Sequence, residues 1–348
     1  MRGMQPSTPR VSVVMAVRDG DRWLTEAIDS VLSQSERALE LIVIDDGSTD
    51  ATPQLLERAA TLDGRVRLIR QPRLGLVAAL NRALAEARAP LVARLDADDI
   101  AHKARLARQL EAFEARPRLG VLGAWALEID ERGRPLGLRA PPADHVAILQ
   151  RMAKGNPLIH SSIMARTELM RRLGGYRGAF EGAEDYDLWL RAAEVAELGN
   201  LPEALVSYRR HPGSVSGRNC LRQAFSVRLA QRAAAARRLR NDDPADCLEG
   251  PPDWHCSLAP GAFYADDAAL YRWLDPAAEE PADGGPGAAL MARVGELTHT
   301  ERQLAARALL ARMRSRDPSE SGQARGLLLR LCRERPRTVL RAAWSLRA

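Results

Sequence analysis

Val11–Val17, VSVVMAV, is a short and nearly continuous apolar run that ends in Arg18, Asp19 and Gly20. An uninterrupted run of this kind reads as a strand buried on both faces of a parallel sheet. A helix is expected next. Trp23, Leu24, Ala27, Ile28, Val31 and Leu32 recur at helical spacing, so residues 21–33 present one apolar face to that sheet. The unit then repeats: strand 39–44, polar turn 45–50, helix 51–60, strand 66–69, helix 76–87 and strand 91–95. Four alternations of strand and helix imply a doubly wound, mostly parallel α/β sheet, in which ligands bind beyond the carboxyl ends of the strands.

After Asp99 the pattern loosens. It predicts a helix over 104–115, a strand over 121–129, a turn at Gly133, a helix over 144–152 and a strand over 157–165. A short helix over 167–173, a longer one over 185–196 and a strand over 205–209 complete this region. Beyond Gly217 the composition shifts to Ala, Arg and Leu in helical spacing, interrupted by Pro/Gly-rich stretches at 250–252 and 281–286. The expected division is a catalytic domain over 1–218 and a helical region of unknown role over 219–348.

Composition narrows the class. The chain has 348 residues, 46% hydrophobic and 28% charged, which is ordinary for a globular protein and argues against global disorder. Its net charge of +6 comes almost entirely from arginine, since Lys103 and Lys154 are the only lysines. That charge permits attraction to phosphates or an anionic surface without choosing between them. Cys220, Cys247, Cys256 and Cys332 show no CxxC spacing, so neither a zinc site nor a redox pair is indicated. No apolar run approaches the roughly 20 residues that span a bilayer, and Met1 to Arg10 lacks the apolar stretch of a secretory signal. The expected location is cytoplasmic, with peripheral contact on the inner face of the membrane. The segment that suggests this contact is 325–348, where seven arginines alternate with Leu and Trp against one Glu, although Pro336 interrupts any continuous helix.

Four polar segments carry the chemistry. Asp45 and Asp46 end a hydrophobic strand, where Asp46 is placed to accept hydrogen bonds from a base or ribose, and Thr49 or Asp50 is placed to cap the next helix. Asp96, Asp98 and Asp99 crowd the end of the strand at 91–95. Like charges this close repel, and a divalent cation with its diphosphate relieves the strain; hard oxygen ligands favour Mg²⁺ or Mn²⁺. Glu184 and Asp185 open a helix whose dipole is expected to keep Asp185 ionised. His211 follows the last strand of the region, beside Arg209 and Arg210, as a ligand nitrogen with cations suited to a diphosphate leaving group.

Taken in order, VSVVMAVRDG, LIVIDDGSTD, GLVAALNRAL, VARLDADD, HSSIMAR, EDYDLWLR and YRRHPGSVS resemble a family 2 glycosyltransferase of the GT-A fold over residues 11 to about 216. The resemblance implies an inverting, metal-dependent hexosyl- or N-acetylhexosaminyl-transferase that moves a sugar from a nucleotide-sugar donor, preferentially a UDP-sugar, to an acceptor hydroxyl in cell-surface glycan synthesis. It implies that Asp46 contacts the base, Asp96 the ribose or base, Asp98 and His211 the Mn²⁺ or Mg²⁺, and that Asp185 is the catalytic base. His160, Ser161 and Ser162 fall in the segment that lines the acceptor side. Where the family commonly carries an aromatic residue followed by Asn, Arg18 and Asp19 stand here, so the Arg18 plane is the expected cover of the base. The expected partners are the donor and a glycan, lipid-linked or protein acceptor, without nucleic acid. Two alternatives carry different signatures. A sugar-nucleotide pyrophosphorylase calls for a Gly-rich phosphate loop where VRDGDRW has one glycine, and a basic binding module has no need of Asp96, Asp98 and Asp185.

Overall fold

A computed structural model describes residues 8–213, 220–240, 242–255, 262–275, 299–312 and 328. The chain divides into two compact units, Met1–Arg218 and Asn219–Ala348.

In the first unit four parallel strands, β1 (Val11–Val17), β2 (Leu39–Asp46), β3 (Val66–Gln71) and β4 (Leu91–Arg94), are joined by α1 (Leu24–Leu32), α2 (Thr52–Leu62) and α3 (Leu76–Glu86). Every residue of β2 is buried; the apolar run Leu41–Ile44 suits a central parallel strand, and Glu40, Asp45 and Asp46 are buried with it. The N-terminal edge is closed by a polar knot: Glu40 accepts from Ser12 Oγ at 2.6 Å, Arg88 N at 2.8 Å and Arg67 Nη1 at 2.9 Å. The opposite edge carries the loops after Val17, Asp46 and Arg94.

The sheet continues through β5 (Ile100–Ala101), β6 (Leu119–Ile129), β7 (Pro135–Arg139), β8 (Met164–Arg166) and β9 (Glu197–Arg209), with order β3-β2-β1-β4-β8-β6-β9-β5 and β7 paired to β6. β8 runs antiparallel between β4 and β6, so this half of the sheet is mixed. The helices α4 (Arg105–Ala115), α5 (His145–Met152), α6 (Thr167–Arg172) and α7 (Glu184–Ala193) flank it.

Two expectations are corrected. The strand expected over 157–165 is a 3-10 turn, His160–Ser162, followed by the three-residue β8. Ser162 Oγ donates to Ile159 O at 2.8 Å and accepts from Ala124 N at 3.0 Å, while Ser161 Oγ accepts from Asp96 N at 2.9 Å. These hydroxyls capture backbone groups and turn the chain where apolar content suggested extension. The strand expected over 205–209 starts at Glu197. Asn200, Pro202 and Glu203 mask its periodicity, and its register against β6 shifts at Trp125.

The second unit has helices α8 (Cys220–Arg240), α9 (Ala265–Leu274) and α10 (His299–Arg312) around Phe225, Trp254, Tyr271 and Leu309. A buried ionic group lies among them: Arg228 pairs with Glu301, Arg232 with Asp267, and Tyr271 OH donates to Glu301 Oε1 at 2.7 Å. No helix among the described residues is long and apolar enough to cross a membrane. The arginine-rich segment 325–348 lies outside the described residues except for Leu328.

Candidate active site

The loop after β1 is fastened to the loop after β2. Asp19, in the left-handed region at φ 51°, accepts from Thr49 N at 2.8 Å, and its own N–H donates to Ser48 Oγ at 3.0 Å. Gly20 N donates to Thr52 Oγ1 at 2.9 Å and Asp21 N to Asp50 Oδ2 at 3.2 Å. The N-cap of α2 is Ala51, so neither Thr49 nor Asp50 caps the helix as expected; Asp50, one position outside, accepts from Thr52 N at 2.9 Å, and Thr49 serves Asp19. Arg18 is left half-exposed, with Nε 3.6 Å from Asp19 Oδ2.

Asp46 is buried, and both its oxygens are engaged. Oδ1 accepts from Gln71 Nε2 at 2.7 Å and Leu74 N at 2.8 Å, and Oδ2 accepts from Gly75 N at 2.9 Å. It therefore shapes the 71–75 loop that leads into α3. Any base contact shares the carboxylate with these bonds.

β4 ends in Arg94, whose buried guanidinium pairs with Asp96. Burial works against its charge, yet Asp96 beside it holds Arg94 more firmly protonated than usual. Carboxylate oxygens of Asp96, Asp98 and Asp99 all lie within 4.8 Å of one another. Burial, with Asp96 adding repulsion, pushes Asp98 above its ordinary value, and the same causes push Asp99 well above. His211 reaches this cluster from 113 positions away: its Nε2 lies 2.8 Å from Asp98 Oδ2, and its ring packs at 4.6 Å on Trp23.

Arg209 has a different fate from Arg210. Its backbone N–H donates to Asp99 Oδ1 at 2.8 Å, Nε to Asp98 O at 2.9 Å, and Nη2 to Glu26 Oε2 at 2.6 Å. These bonds commit it to bracing the acid loop. Arg210 is exposed, with Glu128 3.7 Å away.

Glu184 and Asp185 open α7. Burial first, and their proximity second, push Glu184 up to about 7; burial pushes Asp185 up to about 6, against the bonds from Tyr186 N and Asn156 and the field of Arg94. The bond from Tyr186 N favours the ionised form, as expected at a helix start, but desolvation outweighs it and the net shift is upward. Arg94 acts on Asp185, Glu184, His160 and Tyr176, which ties the two acidic clusters to one buried cation. His160 Nε2 lies 3.0 Å from Tyr176 OH, and burial, then Arg94, pushes its pKa far down, so it is neutral.

Arg94 and Asn156 are the site residues that sequence reasoning passed over. A cation inside the strand LVAR was the available signal for Arg94, since a buried charge needs a partner. Asn156 carried none.

Residues 12–172 match the profile of Glycosyl transferase family 2. The putative glycosyltransferase EpsE of Bacillus subtilis (strain 168) is 39% identical over 208 residues, 58% of this chain and 74% of that protein. S. aureus TarS 1–349, solved in complex with UDP-GlcNAc, superposes with a TM-score of 0.56 at 15% identity, covering 92% of this chain and 90% of that one. The mannosyltransferase PcManGT from Pyrobaculum calidifontis, solved with GDP-Man and Mn²⁺, gives 0.52 at 20% identity over 97% and 85% of the two chains. Likeness at these identities speaks for the fold, which is GT-A.

Proposed function

This chain belongs to glycosyl transferase family 2 and is a glycosyltransferase of glycan biosynthesis, and from that premise we propose that it moves a sugar from a UDP-sugar to an acceptor hydroxyl with inversion at the anomeric carbon. Membership removes the pyrophosphorylase alternative. The observation that carries the reading is the pairing of two acidic clusters across Arg94, one with a histidine and three carboxylates, the other with the adjacent Glu184 and Asp185 carboxylates, both of raised pKa.

In this mechanism Asp185 accepts the hydroxyl proton as the acceptor oxygen bonds to the anomeric carbon. The bond from that carbon to the diphosphate oxygen breaks, and its electron pair leaves with the nucleoside diphosphate. The proton remains on Asp185. Asp46 and Arg18 are proposed for the base and Asp96 for the ribose or base. Carboxylate oxygens this crowded, with an imidazole nitrogen beside one of them, suit a hard divalent cation, and Asp98 and His211 are the proposed ligands. Mn²⁺ or Mg²⁺ bound there supplies neutralisation of charge on the leaving diphosphate. The acceptor is proposed to be a glycan, lipid-linked or protein hydroxyl.

The test is to incubate the purified protein with Mn²⁺, an acceptor extract and a panel of sugar nucleotides, and to measure release of nucleoside diphosphate. Release from UDP-sugars is expected, with loss in EDTA and recovery on adding Mn²⁺. Undiminished turnover in chelator, with metal removal verified by elemental analysis, removes the metal and His211 from the mechanism.

A further inference from the structure

We propose that Asn156 is the positioning residue of the Asp185 carboxylate, holding it so that one lone-pair direction on each oxygen stays free for the acceptor hydroxyl. The inference rests on the reading of Asp185 as the base and assigns a role to a residue outside the motifs.

Asn156 lies between α5 and the 3-10 turn. Its Oδ1 accepts from Leu158 N at 3.0 Å, and its Nδ2 donates to Asp185 Oδ2 at 2.7 Å. The first bond fixes the amide's orientation: a flipped amide sets one N–H group against Leu158 N and leaves two oxygens facing each other at Asp185. The segment itself is anchored on both sides. Tyr186 OH, on the same helix as Asp185, donates to Met152 O, and Asn200 Nδ2 donates to Pro157 O at 3.3 Å. Asp185 Oδ1 accepts from Tyr186 N at 2.7 Å. Of about four lone-pair sites on an ionised carboxylate, two are thus filled, one on each oxygen.

Both bonds are donated to the carboxylate, so both favour its ionised form. The charged groups that act on it are Arg94 of β4, Arg139 of β7 and Glu184 beside it, with the buried Tyr176 hydroxyl also within its field. Burial is the opposing cause, and the balance stands at about 6. Removing the Asn156 donor tips that balance upward, so the base titrates nearer neutrality.

The isosteric Asn156→Asp variant tests this, since a carboxylate still accepts from Leu158 N but sets a like charge, in place of a donor, against Asp185; its shift is therefore an upper bound, and the uncharged Asn156→Ser variant isolates the lost donor. The acid limb of the kcat profile is expected to move up by about one pH unit. At pH 6 that reduces transfer about fivefold, from half to about one-eleventh ionised, with most of the loss recovered at pH 8.5 and nucleotide binding unchanged. Asn156→Ser, whose hydroxyl accepts from Leu158 N and falls short of Asp185, is expected to shift the limb the same way by a smaller step. An unmoved acid limb in either variant, or a loss equal at every pH with a raised KM for the donor, overturns the inference. Asp185→Asn distinguishes the layers. Near-normal transfer there overturns the base assignment, and with it this role, whereas lost transfer there with an unmoved limb in either Asn156 variant overturns the positioning role alone.

Discussion

At pH 8, Asp185→Asn is expected to cost activity without costing stability. The carboxylate titrates at about 6 in the folded protein against about 3.9 for an unperturbed Asp. A raised folded value means that the protonated form stabilises the fold below about pH 3.9, and that this contribution is lost as pH rises through about 6. Two units correspond to about 3 kcal/mol at most, and partial exposure with coupling to Glu184 brings a usable figure nearer 1.5. The introduced amide keeps one acceptor for Tyr186 N but meets the Asn156 amide with one bond unmade, at a cost of about 1 kcal/mol. At pH 8 the variant should therefore melt at or slightly above the parent temperature, and at pH 4, where the parent is already protonated, below it. Transfer should fall by roughly 10²-fold or more, with UDP binding retained. Thermal melts at both pH values, UDP titration and product release on one preparation check this. Near-normal transfer refutes the base assignment; a collapsed melt at pH 8 with lost UDP binding refutes the electrostatic account and leaves the residue as a helix-start support.

Asp46→Ala should leave two backbone N–H groups and the Gln71 amide without their acceptor and destabilise by roughly 2–4 kcal/mol, read as a lowered Tm; an unchanged Tm shows that the 71–75 loop does not depend on it. Gly123→Ala places a Cβ 2.2 Å from Asn200 Oδ1 and 3.3 Å from Ser162 Oγ, so overpacking of roughly 1–3 kcal/mol is expected in denaturant melts, and wild-type stability would show that Asn200 yields freely.

The limits of the elements were legible wherever burial was two-sided. VSVVMAV became β1 without a residue's difference, and the alternation that follows it became the β3-β2-β1-β4 half of the sheet. Where a strand is exposed throughout, as β7 is, or polar residues interrupt it, as in the first half of β9, periodicity is too weak to read. The sequence by itself determined which polar segments matter, because acids at the ends of buried strands and at a helix start stand out against apolar runs. Only the tertiary structure decided what each does locally: Asp46 bonded into a loop, Arg209 tied beneath the acids, His211 brought beside Asp98, Asn156 set against Asp185. These pairings span from 28 to 113 positions, and the sign of the Asp185 shift follows from desolvation, which depends on packing around the side chain. Local sequence records residue type and period; distance across the fold and exclusion of water exist only once the strands have assembled.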